Sequence, residues 1–120
     1  MENGIALCIY GRRDGAVLEE GFIATVQDAL DLIATASYQG ASAVVIPMER
    51  LSSDFFLLKT GFAGEMLQKF VNYDMRAAIA GDFSGFGSES LKAFMRESNR
   101  GRHVLFAPTV EQALKELTSR

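Results

Sequence analysis

A chain of 120 residues with a formal net charge of -3 lacks the basic excess that phosphate neutralisation requires, which excludes nucleic acid as a general partner. The length suits one domain, 1–120, with a single core that buries roughly two-thirds of the unfolded surface. Glu2 stands where a signal peptide carries lysines, and no apolar run approaches the ~18 residues of a membrane span, so a cytoplasmic protein without a membrane partner is expected.

In chain order, the apolar run from Ile5 to Tyr10, bounded by Gly4 and Gly11, predicts a strand covered on both faces. The single cysteine, Cys8, has no partner for an internal disulfide and reads as a small buried hydrophobe. From Gly11 to Gly21, Gly, Arg, Asp and Glu recur without period, which predicts an exposed loop leaving the C-terminal end of that strand. A helix follows. Thr25 and Asp28 form an acidic variant of the capping box, Val26, Ala29, Leu30, Ile33 and Ser37 follow the 3.6 spacing, and Gly40 suits a left-handed stop.

Ala43 to Ile46 is the second predicted strand, ended by Pro47, which has no N–H to give a ladder. Ser52 caps a short turn from Ser53 to Lys59, with Asp54 at its positive end. Phe55, Phe56, Leu57 and Leu58 come next. Four consecutive large apolar residues cannot share one side of a helix, so they are either buried all round or partly left for a partner. Thr60-Gly61 opens the next helix, with an apolar stripe of Phe62, Ala63, Met66, Leu67, Phe70 and Val71 and an i, i+4 pair of Glu65 with Lys69 on the other face.

Ala77 to Ala80 is the third strand and leads into the glycine-rich Gly81 to Gly87, whose glycines imply tight turns or close backbone approach. Ser88 caps a helix with the stripe Leu91, Phe94, Met95 and Ser98. Val104 to Ala107 is the fourth strand, and Thr109 to Gln112 form a capping box ahead of Ala113, Leu114 and Leu117.

This alternation selects a four-stranded, mainly parallel sheet with helices on both faces. With its strands numbered in chain order, a 1-2-3-4 order would leave one face of the sheet looking at water, whereas 2-1-3-4 divides the helices between the faces. The first helix then covers one face, the long 51–74 connection and the third helix cover the other, and the last helix returns beside the first. In such a sheet a crevice opens at the C-terminal ends of strands one and three. Arg12, Arg13, Glu49, Asp82 and Ser84 are its candidate ligand residues.

The chemistry-bearing residues form no recognisable catalytic set. His103, the one histidine, enters the fourth strand at the edge opposite the crevice, which argues against a histidine-based triad or a metal site. Asp14, Glu49 and Asp82 have no spacing that brings them together, and acid–base work needs geometry first. GDFSGFG is neither a phosphate-binding loop of the GxxxxGK[ST] type nor a GxGxxG. No cofactor is implied, although helix starts at Thr60 and Ser88 offer N–H groups to an anion.

The segments Asp54-Phe55-Phe56, Leu58, Thr60-Gly61, Ala63-Gly64-Glu65 and Leu67 to Tyr73, with Ala29 to Thr35, Gly81 to Ser84 and Glu97-Ser98-Asn99, together resemble a small bacterial family, domain of unknown function 4180. That resemblance implies no activity. It does imply an N-terminal strand ahead of the one at Ile5 to Tyr10, which the four residues before it leave absent or very short. The deduced fold also resembles the STAS domains of anti-sigma-factor antagonists, in which a Ser or Thr opening the helix after the second parallel strand is phosphorylated and that helix docks a partner. Thr60 falls at a comparable place, although Ser52 to Lys59 is an insertion there and the Asp-Ser-Ser-Gly run is missing.

Two functions follow. The preferred one is a non-enzymatic regulatory or protein-interaction module that presents residues 51–73 to a protein partner or to a second copy of itself, with Phe55 to Leu58 as contacts and Thr60 as a regulatory site. The alternative is a small-ligand or enzyme domain that uses the strand-end crevice.

Overall fold

The structure, a computed structural model, describes residues 6–10, 15–85, 88–101 and 103–119, with backbone only for 6–10 and for 118–119. Arg12, Arg13 and the side chain of Cys8 lie outside that description. Five strands form one sheet in the order β1 (Ala6–Tyr10), β2 (Gly15–Glu20), β3 (Ala43–Pro47), β4 (Arg76–Ala80) and β5 (Val104–Ala107). Strand β1 is antiparallel to β2, and the remaining four are parallel.

The strand at 15–20 corrects the expected loop. Its first four residues are buried and Glu19 and Glu20 are exposed. Only Ala16, Val17 and Leu18 supply apolar side chains, so arginines before and glutamates after mask a strand that neighbours on both sides complete. Ala6–Tyr10 is therefore the N-terminal edge strand itself, and Gly15–Glu20 is the strand that starts the parallel run. The 2-1-3-4 order falls with this reassignment, and the expected crevice falls with it. Strand β1 runs against the others, Tyr10 pairing with Gly15, so its C-terminal end lies at the sheet edge opposite the end of β4 at Ala80. The four parallel strands step in one direction without reversal.

Helices α1 (Val26–Tyr38), α2 (Phe62–Asn72) and α3 (Glu89–Arg100) accordingly share one face. Ala16, Leu18, Val44, Ile46, Ile79 and Phe106 point towards them. The other face is covered by α4 (Val110–Ser119), which reaches all four parallel strands rather than returning beside α1. One helix suffices because the sheet residues there are small: Ala43, Ala78, Ala80 and Ala107 join Val17, Val45 and Leu105 against Ala113 and Leu117. The physical objection to a 1-2-3-4 order is thus met by alanines, which let one helix lie close and broad. The guanidinium of Arg76 donates to the carbonyl of Leu117 and ties down the end of α4.

Local signals are kept at several helix ends. The Thr25 hydroxyl accepts from Asp28 N–H at 3.0 Å while Asp28 Oδ2 accepts from Thr25 N–H at 3.1 Å, and Gly40 is left-handed with φ 88°. Ser88 accepts from Leu91 N–H. Thr109 accepts from Gln112 N–H, but the Gln112 amide donates to Glu116 instead of closing the box. The buried stripe of α1 is Ala29, Leu32, Ile33 and Ala36, so Leu30 and Ser37 lie off the core face. Glu65 and Lys69 form no ion pair among the described residues.

Candidate functional site

The long connection between β3 and β4 joins adjacent strands, so its length crosses no extra strand. It carries three short 3-10 turns, Met48–Arg50, Ser53–Phe56 and Leu58–Thr60, before α2. Between the first two, the chain is pinned to the α1 approach: Ile23 N–H donates to Arg50 O at 2.8 Å, and Ser52 N–H donates to Ile23 O at 2.9 Å. The Ser52 hydroxyl then accepts from Asp54 N–H and starts the second turn.

That turn drives Phe55 and Phe56 inward, to 0% and 6% exposure. Phe55 meets Phe56, Phe62 and Phe106 with ring centroids at 5.0, 6.4 and 6.2 Å. Phe106 in turn meets Phe83 and Phe94. The surplus of apolar residues noted in the sequence is therefore an aromatic cluster joining this segment to α2, α3 and β5. Phe55 and Phe56 are not presented at the surface, because rings pack more favourably against other rings than in water. Leu58 is half-buried, and Leu57 is 49% exposed.

Thr60 closes the segment. Its hydroxyl proton is shared between the carbonyls of Asp54 and Leu57, at 3.0 and 2.9 Å, and its oxygen accepts from Phe62 N–H at 3.2 Å. The N-cap position belongs to Gly61, left-handed at φ 77°, so Thr60 caps α2 from one residue further out. The side chain is exposed. One hydroxyl thus clasps the preceding turns to the start of α2, a role that depends on its being both donor and acceptor.

Sequence reasoning passed over Gly64, in the first turn of α2. Its conformation is ordinary for a helix, and a Cβ there would meet nothing within 4 Å. A glycine inside a helical pattern was the available signal. Val71, on the same outer side two turns along, is 43% exposed rather than core.

The remaining described candidates lie just beyond the paired ends of β3 and β4, apart from His103. Glu49 is exposed in the Met48–Arg50 turn. Asp82 and Ser84 sit beyond β4, where Asp82 Oδ1 accepts from Ser84 N–H at 3.0 Å. Gly81 makes the close approach expected of that loop, since a Cβ there would lie 2.5 Å from the Cβ of Met48. A groove of about 320 Å³ at the ends of β4 and β5 includes Asp82, with Phe83, Met95 and Phe106 among its walls, but neither Glu49 nor Ser84. His103 Nε2 lies 3.0 Å from Asp74 Oδ1 at the other end of the sheet.

The Ser84 hydroxyl and then its backbone N–H stabilise the Asp82 carboxylate and hold its pKa below the ordinary value. A depressed folded-state pKa contributes stability above the unfolded value, and that contribution is lost as pH falls through the folded one. Carboxyl-detected NMR titration should find Asp82 below the ordinary 3.8, and Ser84→Ala should move it part of the way back. An unshifted value in the parent would mean that this turn does not persist in solution.

Among the described residues no helix is long and apolar enough to cross a membrane. No curated protein and no solved structure matches the chain. The model of one family, described as "Domain of unknown function (DUF4180)", matches residues 16–117, which spans β2 through most of α4. On that match the chain belongs to the domain of unknown function family DUF4180.

Proposed function

We propose that this chain is a non-enzymatic regulatory module of the bacterial cytoplasm that docks another protein, or a second copy of itself, on the outer side of α2, with Thr60 as the control point. Gly64 carries the reading. Glycine in place of alanine costs a helix up to about 1 kcal/mol, and among the described residues nothing lies within 4 Å of where its Cβ would be. Gly64 and, two turns along, Val71 at 43% exposure share the outer side of α2, and a glycine there suits the close approach of a partner backbone. Thr60 lies one residue ahead of the N-cap of α2, the helix that follows β3, and its side chain is exposed, so a modifying enzyme can reach it; the likeness to STAS domains rested on the 2-1-3-4 order and falls with it. Phosphorylation removes the proton that Thr60 shares with Asp54 and Leu57 and sets about two negative charges against those carbonyls. The phosphate also gains the N–H groups at the start of α2. The modification would thus release the clasp while leaving the helix formed.

Two substitutions test the surface and the control point separately. Gly64→Ala should raise stability by about 0.5 to 1 kcal/mol and weaken partner capture from host lysate or self-association in light scattering. Thr60→Val and Thr60→Asp should each lower stability by about 0.5 to 2 kcal/mol, Thr60→Ser should stay near the parent, and only Thr60→Asp should alter capture. Capture or association identical in parent, Gly64→Ala and Thr60→Asp discards the proposal.

The groove beside Asp82 favours a second reading, a small-ligand site at the strand ends. Its volume of about 320 Å³ lies at the lower limit for ligand pockets. Saturation-transfer NMR against a fragment library, with shifts mapped to Asp82 and Phe106, would support it.

A further inference from the structure

A larger groove, about 470 Å³, lies between α1 and the end of α2 and is used by neither reading above. Its floor is apolar, made by Leu30, Ile33, Ala34 and Met75, and its polar wall includes Asp31 and Tyr73. Leu30 is here because the core stripe of α1 runs through Leu32 and Ala36 instead. Its lining includes neither Gly64 nor Val71, so it is distinct from the outer side of α2.

The charge in this groove has one sign. Asp31 is the ionisable acid of the lining, and among the described residues no lysine, arginine or histidine lines it. Asp31 Oδ1 accepts from the Gln27 amide at 3.0 Å, whereas Oδ2 has no hydrogen-bond partner among the described residues. The last turn of α1 carries no basic residue, so the negative end of its dipole adds to the same potential. Asp31 makes no ion pair among the described residues. Tyr73, 63% exposed, offers a ring face, and such a face attracts a cation best where water is partly excluded. Tyr38, 94% exposed, stands one turn beyond Ala34 on the same stripe of α1 as a second free aromatic.

We infer that this groove binds a small organic cation with an apolar body, an aralkyl- or alkylammonium, whose ammonium group meets Asp31 and Tyr73 while its hydrocarbon part lies on Leu30, Ala34 and Met75. The apolar floor supplies affinity without direction. The carboxylate and the ring select the sign of the head group.

Three probes of equal length separate these contributions: 4-phenylbutylamine, 4-phenylbutan-1-ol and 4-phenylbutyrate, each titrated into isotope-labelled full chain at neutral pH and followed by amide shifts. The amine should bind most tightly and the acid most weakly, with the largest shifts from Leu30 to Ala34 and from Tyr73 to Met75. Asp31→Asn should weaken the amine about tenfold and leave the alcohol unchanged. The inference is overturned if the amine produces no saturable shifts, if the acid binds as well as the amine, if the shifts fall outside this groove, or if Asp31→Asn leaves the amine's affinity unaltered. The order of the three probes on the parent chain tests the charge selection even if that variant folds poorly. A failure of Gly64→Ala to affect partner capture would not move any of these readings.

Discussion

Phe55→Ala is expected to cost about 3 to 5 kcal/mol, a large part of the roughly 5 to 15 kcal/mol that holds a typical domain together. The ring is fully buried and touches Phe56, Phe62 and Phe106, so its loss removes hydrophobic transfer energy and ring–ring contacts and leaves a cavity walled by stiff side chains. Collapse into that cavity is limited, because Phe106 is held by the ladder of β4 and β5 and by Phe83 and Phe94. Leu57→Ala, two residues away but half-exposed, should change stability by no more than about 0.5 kcal/mol. Urea unfolding of the two variants beside the parent makes the comparison. Similar small losses from both would mean that the segment 53–60 is peripheral and that its aromatic residues are available to a partner after all.

The two neighbouring residues show where sequence reasoning stops. The run Phe55 to Leu58 announced too many apolar side chains for one helix face, and that inference was sound. Which of the four would be buried depended on the 3-10 turns, and these depend on Ser52, Thr60 and the bridge from Ile23 to Arg50 and Ser52. Of those, the cap at Ser52 is a local signal. The bridge joins residues far apart in the chain and has no signature in either segment. Thr60 was legible as a helix-start residue, but its second and third hydrogen bonds, back to Asp54 and Leu57, required the turns to be known first.

The sheet shows the same division more sharply. Strands at 43–46, 77–80 and 104–107 were visible as apolar runs, although the first continues through Pro47, which pairs with Ala80, and the second begins at Arg76; the caps at Thr25 and Ser88 and the stop at Gly40 stood in the sequence as local chemistry. Strand β2 was not visible, because three apolar residues between arginines and glutamates do not outweigh their flanks until β1 and β3 pair with them. Its omission propagated into the topology: with one strand fewer, β1 took its place as the start of the parallel run, and the helices had to be divided to cover both faces. A signal for the true arrangement was present in the alternation itself. Ala43, Ala78, Ala80 and Ala107 fall on one side of their strands, and Val44, Ile46, Ile79 and Phe106 fall on the other. A face built of alanines asks for a single close helix, whereas a face of large residues asks for several. The candidate site was legible only in part: Thr60 by its position, Gly64 not read although a glycine inside a helical pattern was its signal, and the Asp31 groove not at all, since it forms only where α1 turns its second apolar flank towards Tyr73 and Met75.

Leu117→Ala should cost about 2 to 5 kcal/mol, because α4 is the helix that covers the alanine face and Leu117 is 2% exposed at its far end. The loss should be felt across the sheet, since the same helix reaches β2, β3, β4 and β5. Hydrogen exchange should therefore rise in amides of all four parallel strands, not only in α4. Ala78→Leu attacks the same contact from the other side. Ala78 is fully buried between β4 and α4, and three additional carbon atoms there must push the helix off the sheet, at about 1 to 3 kcal/mol for overpacking. Removing volume from the helix and adding it to the strand are opposite changes, and both are harmful only if the two surfaces are in close contact. Glu111→Ala, exposed in the first turn of the same helix, should stay within about 0.5 kcal/mol of the parent. If Ala78→Leu proves neutral while Leu117→Ala is costly, α4 packs against something other than the alanine face, and the sheet order β1-β2-β3-β4-β5 loses the helix that makes it possible.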